Sequence, residues 1–124
     1  MLKRTLLALL VVTMAGLAYG ATQPKKGPNG GMVVTSEGHP IEFVLKGQEV
    51  VFYINDDDGS PLSTKNMRGR ATVQDGGKTT TVSLTPTAPN LMTGKLQAPL
   101  GTKARVVFSG NLHGHSLTAR YVTE

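Results

Sequence analysis

The chain is broken too often by turn residues to build helices of useful length. From Gly27 onward, short apolar runs are interrupted every few positions by Gly, Pro or Asp-rich steps, and no stretch spaces apolar residues at the three-to-four interval of an amphipathic helix. The runs are filled with β-branched and aromatic side chains, Val50-Val51-Phe52-Tyr53-Ile54 most clearly, which suit a pleated and packed surface. The spacing predicts strands over Met32–Thr35, Ile41–Lys46, Val50–Asn55, Arg70–Gln74, Thr79–Leu84, Leu91–Leu96, Arg105–Phe108 and Leu117–Val122. Lys46-Gly47-Gln48 reads as a tight hairpin turn, and Asp75-Gly76-Gly77 as the link between another pair. Asp56-Asp57-Asp58-Gly59-Ser60-Pro61 reads as a turn whose carboxylates bond their own backbone. Pro86, Pro89 and Pro99 have no ladder donor, which assigns them to strand ends or edges.

Alternation marks the buried side. Ile41, Phe43 and Leu45 share one face, opposite Glu42, Val44 and Lys46, whereas Val50–Ile54 is apolar on both faces and fits a central strand. Thr79, Thr81 and Ser83 suggest a solvated face. Seven or eight short strands at this spacing imply an all-β domain, with an immunoglobulin-like β-sandwich expected and a small β-barrel as the alternative.

The N-terminus carries a different signal. Lys3 and Arg4 precede an apolar run from Leu6 to Ala18, and Ala18-Tyr19-Gly20 offers small residues for cleavage before Ala21. Leu6 to Ala18 falls short of the roughly 20 residues needed to span a bilayer, so residues 1–20 read as a secretory signal and the mature protein as having no membrane span. Residues 21–30, rich in Pro, Lys and Gly, read as a flexible leader, and 31–124 as the β-domain. A periplasmic or secreted location follows.

Composition removes several functions. With no cysteine, disulfides, thiolate metal sites and Cys nucleophiles are excluded, and the fold depends on packing alone. The formal charge of +5 falls to +3 once Lys3 and Arg4 are set aside, and aromatic residues make up only 5%, a poor match to a nucleic-acid binder. No nucleophile elbow, HExxH or phosphate-cradling loop is present, and the Gly27–Gly31 run precedes a strand, not a helix, so a non-catalytic protein is expected.

Gly27-Pro28-Asn29-Gly30-Gly31, His39-x-Ile41-Glu42-Phe43-Val44, Asp58-Gly59-Ser60-Pro61-Leu62, Ala71-Thr72-Val73 and Gly76-Gly77 follow one another in a familiar order. This order resembles the small β-domain of periplasmic heavy-metal efflux adaptor (membrane fusion) proteins and related stand-alone exported proteins. The likeness runs from Gly27 to about Leu84, and its motifs specify a fold more than a site. The coiled-coil hairpin, lipoyl-like and barrel segments of such adaptors have no counterpart here. The resemblance therefore implies a free-standing exported domain with a role near metal resistance or homeostasis, and carries over no metal ligand.

Candidate ligands come from the residues themselves. His113-Gly114-His115 places two imidazoles one residue apart. They would share a metal from one face of a strand, or from a hairpin loop that Gly114 lets fold back, the latter being the expected placement. Two exposed loop histidines with no ligand are the competing reading. His39, with Glu42 nearby, would complete a three-nitrogen site if its end of the domain is the end that carries the late pair. Met67, flanked by Asn66 and Arg68, is a candidate thioether ligand and would favour Cu(I), whereas imidazole alone suits Cu(II), Zn(II) or Ni(II). Core packing is the competing reading for Met67 as for Met32, and Asp56–Asp58 reads as a solvated turn without the distal Glu of a calcium hand. The resulting expectation is a periplasmic module that buffers or delivers copper, zinc or nickel, accessory to metal efflux. The alternative is a non-catalytic envelope domain that docks another protein by a sheet edge. Mass spectrometry of the exported product is expected to show Ala21 as its first residue; a product retaining Met1 in the membrane fraction would overturn the export reading.

Overall fold

The computed structural model describes residues 25–124, so the signal segment and residues 21–24 lie outside the described residues. Nine strands follow in chain order: β1 (Lys25–Lys26), β2 (Met32–Ser36), β3 (His39–Lys46), β4 (Glu49–Ile54), β5 (Arg68–Asp75), β6 (Lys78–Thr87), β7 (Leu91–Lys95), β8 (Arg105–Leu112) and β9 (His115–Val122). All pairings are antiparallel, in the single order β1-β2-β3-β4-β7-β6-β5-β8-β9. The all-β class is thus as expected. The strands are joined in one curled sheet, a half-barrel, and not hydrogen-bonded as two separate sheets. No helix among the described residues is long and apolar enough to cross a membrane.

The curl has its joint in β6. Lys78–Leu84 pairs with β5, and Thr85–Thr87 then pairs with β7. Pro86, expected at a strand end or edge, lies inside this strand where the strand has become an edge. It is tolerated because β6 has already parted from β5 at Leu84, so Pro86 has a ladder partner, Met92, on one side only. The sheet bends round until its far strands meet: the Thr118 amide on β9 donates to Ser36 Oγ on β2 at 3.0 Å. Lys25–Lys26, expected in a flexible leader, pair with Val33 and Met32 and belong to the sheet.

The concave side is filled by a compact aromatic group. Phe52 stacks on Phe43 at 5.2 Å between centroids, meets Phe108 at 4.9 Å and lies 6.1 Å from Tyr121, which in turn is 5.2 Å from Phe43. Ile41, Val50, Ile54, Met92 and Val106 close around it with no exposed surface. Each such buried side chain contributes about 1.5–3 kcal/mol relative to exposure. Val51 is buried as well, in line with β4 lying between β3 and β7. Leu45 departs from the expected inward row: at the end of β3, next to the Gly47 turn, it is 37% exposed.

Tyr121 ties the two sides of the curl together. Its hydroxyl donates to the Ile41 carbonyl at 2.6 Å, linking β9 to β3 through the core. Burial, followed by the nearby charge of Glu42, pushes its phenol above the ordinary value of 10.0. In the unfolded chain the phenol ionises near 10, whereas the folded chain keeps its proton, so this contribution is complete below pH 10 and is lost as pH rises beyond it. Tyr121→Phe is expected to cost about 1–3 kcal/mol near neutral pH, because the Ile41 carbonyl loses its partner. In urea unfolding, the stability gap between the two proteins should narrow between about pH 9 and pH 11; a gap that stays constant would show that the phenol's proton is not held by the fold.

Candidate functional site

The strand registers gather the chemistry-bearing residues at one end of the sheet. β2 and β3 turn at Glu37-Gly38, with Ser36 opposite His39, and β4 ends at Ile54, opposite Ile41, before entering the Asp56–Asp58 loop. β9 runs antiparallel to β2, with Thr118 beside Ser36, so the β8–β9 turn lies beyond Ser36 at that same end. His39, the Asp56–Asp58 loop, His113 and His115 therefore share one pole.

The late pair is built by a hairpin. His113 and Gly114 are the two central residues of the β8–β9 turn, with φ of 51° and 83°, and Leu112 pairs with His115 across it. Positive φ at both positions is the pattern of a type I′ turn, whose twist matches that of the flanking strands. Asn111 Oδ1 accepts from the Gly114 amide at 3.2 Å and braces the tip. His113 is thus a turn residue and His115 the first residue of β9, both exposed, so the same-face strand arrangement does not apply.

His39 is held more firmly. Its Nδ1 lies 3.1 Å from the Asn55 carbonyl and 3.9 Å from Asp56 Oδ1, with the ring 22% exposed. A carbonyl only accepts, so this bond puts a proton on Nδ1 and, in the neutral ring, leaves the Nε2 lone pair free. Beside it, oxygens of Asp56, Asp57 and Asp58 lie within 4.8 Å of one another, the one such set of three His, Asp or Glu donors among the described residues. The carboxylates also serve the loop. Asp56 Oδ1 accepts from the Asp57 amide at 2.8 Å, and Asp58 Oδ1 accepts from the Ser60 hydroxyl at 2.6 Å and its amide at 2.9 Å. The Ser60 bonds, the hydroxyl's first, hold the Asp58 carboxyl below its ordinary 3.8. The imidazoles themselves do not form a set of three donors at that spacing.

Two candidates sit elsewhere. Met67 is buried at 3% exposure in the core, its methyl packed toward Gly110, so its thioether fills space at the foot of the aromatic group. Glu42 is 2% exposed on the opposite face of β3, and its carboxylate already has three donors. Oε2 accepts from the Asn29 and Gly31 amides at 2.9 and 2.8 Å, and Oε1 accepts from Asn29 Nδ2 at 2.9 Å. The Gly27–Gly31 turn, closed by Gly27 N to Gly31 O at 2.9 Å, wraps this carboxylate so closely that a Cβ on Gly27 would overlap it. The Gly-rich segment thus forms a small anion-binding nest whose anion is the chain's own Glu42. Sequence reasoning missed this clasp; the available sign was a lone acid in an apolar strand, with a donor-rich Gly/Asn turn just upstream.

Comparison with known protein families, characterised proteins and solved structures finds no match, so the likeness to efflux adaptor domains stands on the sequence motifs alone.

Glu42→Gln keeps the shape of the side chain but turns an NH2 toward groups that are all donors. It is expected to cost about 1–3 kcal/mol in urea unfolding and to open Lys25–Lys26 to trypsin. An unchanged midpoint with a protected leader would mean that the clasp contributes nothing.

Proposed function

We propose that this chain is an exported, non-catalytic module that takes up a transition-metal ion at the pole formed by His39, the Asp56–Asp58 loop and the His113–His115 hairpin. The observation that carries this reading is the placement of three imidazoles and three carboxylates at the same end of the sheet. The state of His39 supports it: a ring anchored through Nδ1 to a backbone carbonyl is the arrangement by which proteins orient a metal-binding imidazole. An imidazole and carboxylate set suits Zn(II), Cu(II) or Ni(II). With Met67 packed in the core and Glu42 occupied by the leader, neither belongs to the ligand set, and the thioether preference for Cu(I) goes with Met67. The hairpin tip supplies two exposed imidazoles able to adjust to an ion, and the Asp loop lowers the cost of bringing a cation there. An exported location and a link to metal efflux are the context in which such a module would buffer or hand over an ion.

The type I′ geometry supplies a clean test. Asn is well suited to the His113 position, so His113→Asn combined with His115→Thr removes both imidazoles with little strain. Titration with Zn2+, Cu2+ and Ni2+ should show at least one ion bound, with affinity falling about ten-fold or more in this variant and again in His39→Ala. Binding of Ca2+ alone, abolished only by Asp57→Asn with Asp58→Asn, would replace the transition-metal site with a carboxylate loop. Unchanged affinities in every variant would remove the site altogether.

A further inference from the structure

All four arginines among the described residues, Arg68, Arg70, Arg105 and Arg120, fall on one surface. In β5 the buried residues are Ala71 and Val73, so Arg68 and Arg70 point outward; in β8 Val106 and Phe108 are buried and Arg105 is outside; in β9 Ala119 and Tyr121 are buried and Arg120 is outside. The registers Arg70↔Ser109↔Thr118, Arg68↔Asn111↔Ser116 and Thr72↔Val107↔Arg120 make these the outer rows of β5, β8 and β9. No carboxylate occurs in these rows. Among the described residues the one contact within 4.0 Å between a basic and an acidic side chain is His39 with Asp56, so none of the four guanidinium groups is neutralised by a salt bridge. Of the acids, Asp75 ends β5 and Glu124 follows β9 at the Arg105 end of the face, and the rest lie at the pole, in the clasp or at the hairpin turns. Four like charges gathered on one sheet face, none of them in a salt bridge, are unfavourable to the isolated fold.

The face is also shaped. A groove of about 540 Å³ opens over Arg68 and Arg70, lined by Ser109, Asn111, Ser116 and Thr118. A second, of about 310 Å³, lies at the opposite end of the same face, beside Arg105 and Lys103. Guanidinium forks pair two-point with planar or tetrahedral oxyanions, and hydroxyl and amide groups between them match a ligand that is itself rich in hydroxyls. The outer rows of β5, β8 and β9 hold no aromatic residue. Nucleic-acid bases therefore find nothing to stack on, a membrane finds no aromatic anchor, and a protein partner finds no aromatic hot spot.

We propose that the outer face of β5, β8 and β9 binds a linear acidic glycan, with the Arg68–Arg70 groove holding one of its carboxylate or sulfate groups. The seven-residue run from Arg68 to Gln74 makes the face about 20 Å long, so the chain lies along it from one groove to the other. The contact is mainly electrostatic and weakens as salt rises. This inference does not depend on metal binding at the pole.

The test measures binding of the whole purified chain to fluorescent heparin, polygalacturonate, neutral dextran, a single-stranded oligothymidylate and phosphatidylglycerol vesicles. Heparin or polygalacturonate should bind, with affinity falling as sodium chloride is raised, and dextran should not. Arg68→Gln with Arg70→Gln should weaken binding at least about ten-fold. Lys46→Gln with Lys95→Gln removes the same charge from the exposed ends of β3 and β7, on the other half of the sheet, and should change it less than about two-fold. If the first pair disturbs folding, Arg105→Gln with Arg120→Gln replaces it, with a loss of about three-fold or more expected. The proposal fails if neither glycan binds, if the lysine and arginine pairs weaken binding equally, or if the oligonucleotide or the vesicles bind more tightly than both glycans.

Discussion

Everything positioned on this molecule depends on the contact of Phe52 with Phe43, Phe108 and Tyr121. A nine-strand antiparallel sheet has no reason to curl unless its two halves bury something between them, and a chain without cysteine has no covalent means of holding the curl. Phe43 and Phe52 come from β3 and β4; Phe108 and Tyr121 come from β8 and β9, four to six places away in the sheet order. Their mutual packing, worth about 0.5–1.5 kcal/mol per aromatic pair beyond area burial, converts an open ribbon into a half-barrel. The Tyr121 bond to the Ile41 carbonyl then fixes how far β9 travels along β3. That offset brings Thr118 to Ser36, and with it the His113–His115 hairpin to the end that carries His39.

Polar residues divide by whether the fold has already used them. Glu42 is consumed: three donors from the Gly27–Gly31 turn surround it, and the reward is a leader fastened to the outside of β3. Asn90 is likewise buried, its side-chain amide donating to the Ile54 carbonyl at 2.9 Å. Thr123 caps the far end, accepting from the Ala104 amide and donating to the Gly101 carbonyl, both at 2.8 Å. Buried polar groups of this kind are costly if left unpaired and inert once paired. His39 Nε2, the tip imidazoles and the four arginines are the groups that this structural demand does not absorb. Function is sought among them for that reason.

How much was legible in the sequence follows from the range of the interactions involved. The strands and hairpins depend on neighbours, and their signals were local: Gly76-Gly77 and His113-Gly114 lie at turns, and all eight expected strands occur to within a few residues. β6 was cut short at Leu84 because Pro86 looked like a strand end, and what excuses Pro86 is the departure of β5, a fact of pairing and not of sequence. Met67, flanked by polar Asn66 and Arg68, stood as a candidate ligand beside the core reading, and alternation at the start of β5 turns it inward. Glu42 looked like a ligand because its partners lie 11 and 13 positions upstream. The arginine face was invisible for the same reason. Arg68 and Arg120 are far apart in the chain, and only the register of three strands brings them onto one surface.

The pole and the arginine face meet at the β8–β9 hairpin. Asn111 lines the groove while its Oδ1 accepts from the Gly114 amide at the tip, so the wall of one surface also braces the other. Arg68 pairs with Asn111, which places positive charge close to the imidazole pair. That charge opposes a cation at the tip, and the Asp56–Asp58 carboxylates at the same pole offset it. An anion in the groove would cancel the opposing charge directly. By linkage, a cation held at the tip would strengthen the anion's hold by the same factor. At physiological salt this exchange reaches only about 8 Å, so it is confined to the hairpin and does not extend to Arg105 at the far end of the face.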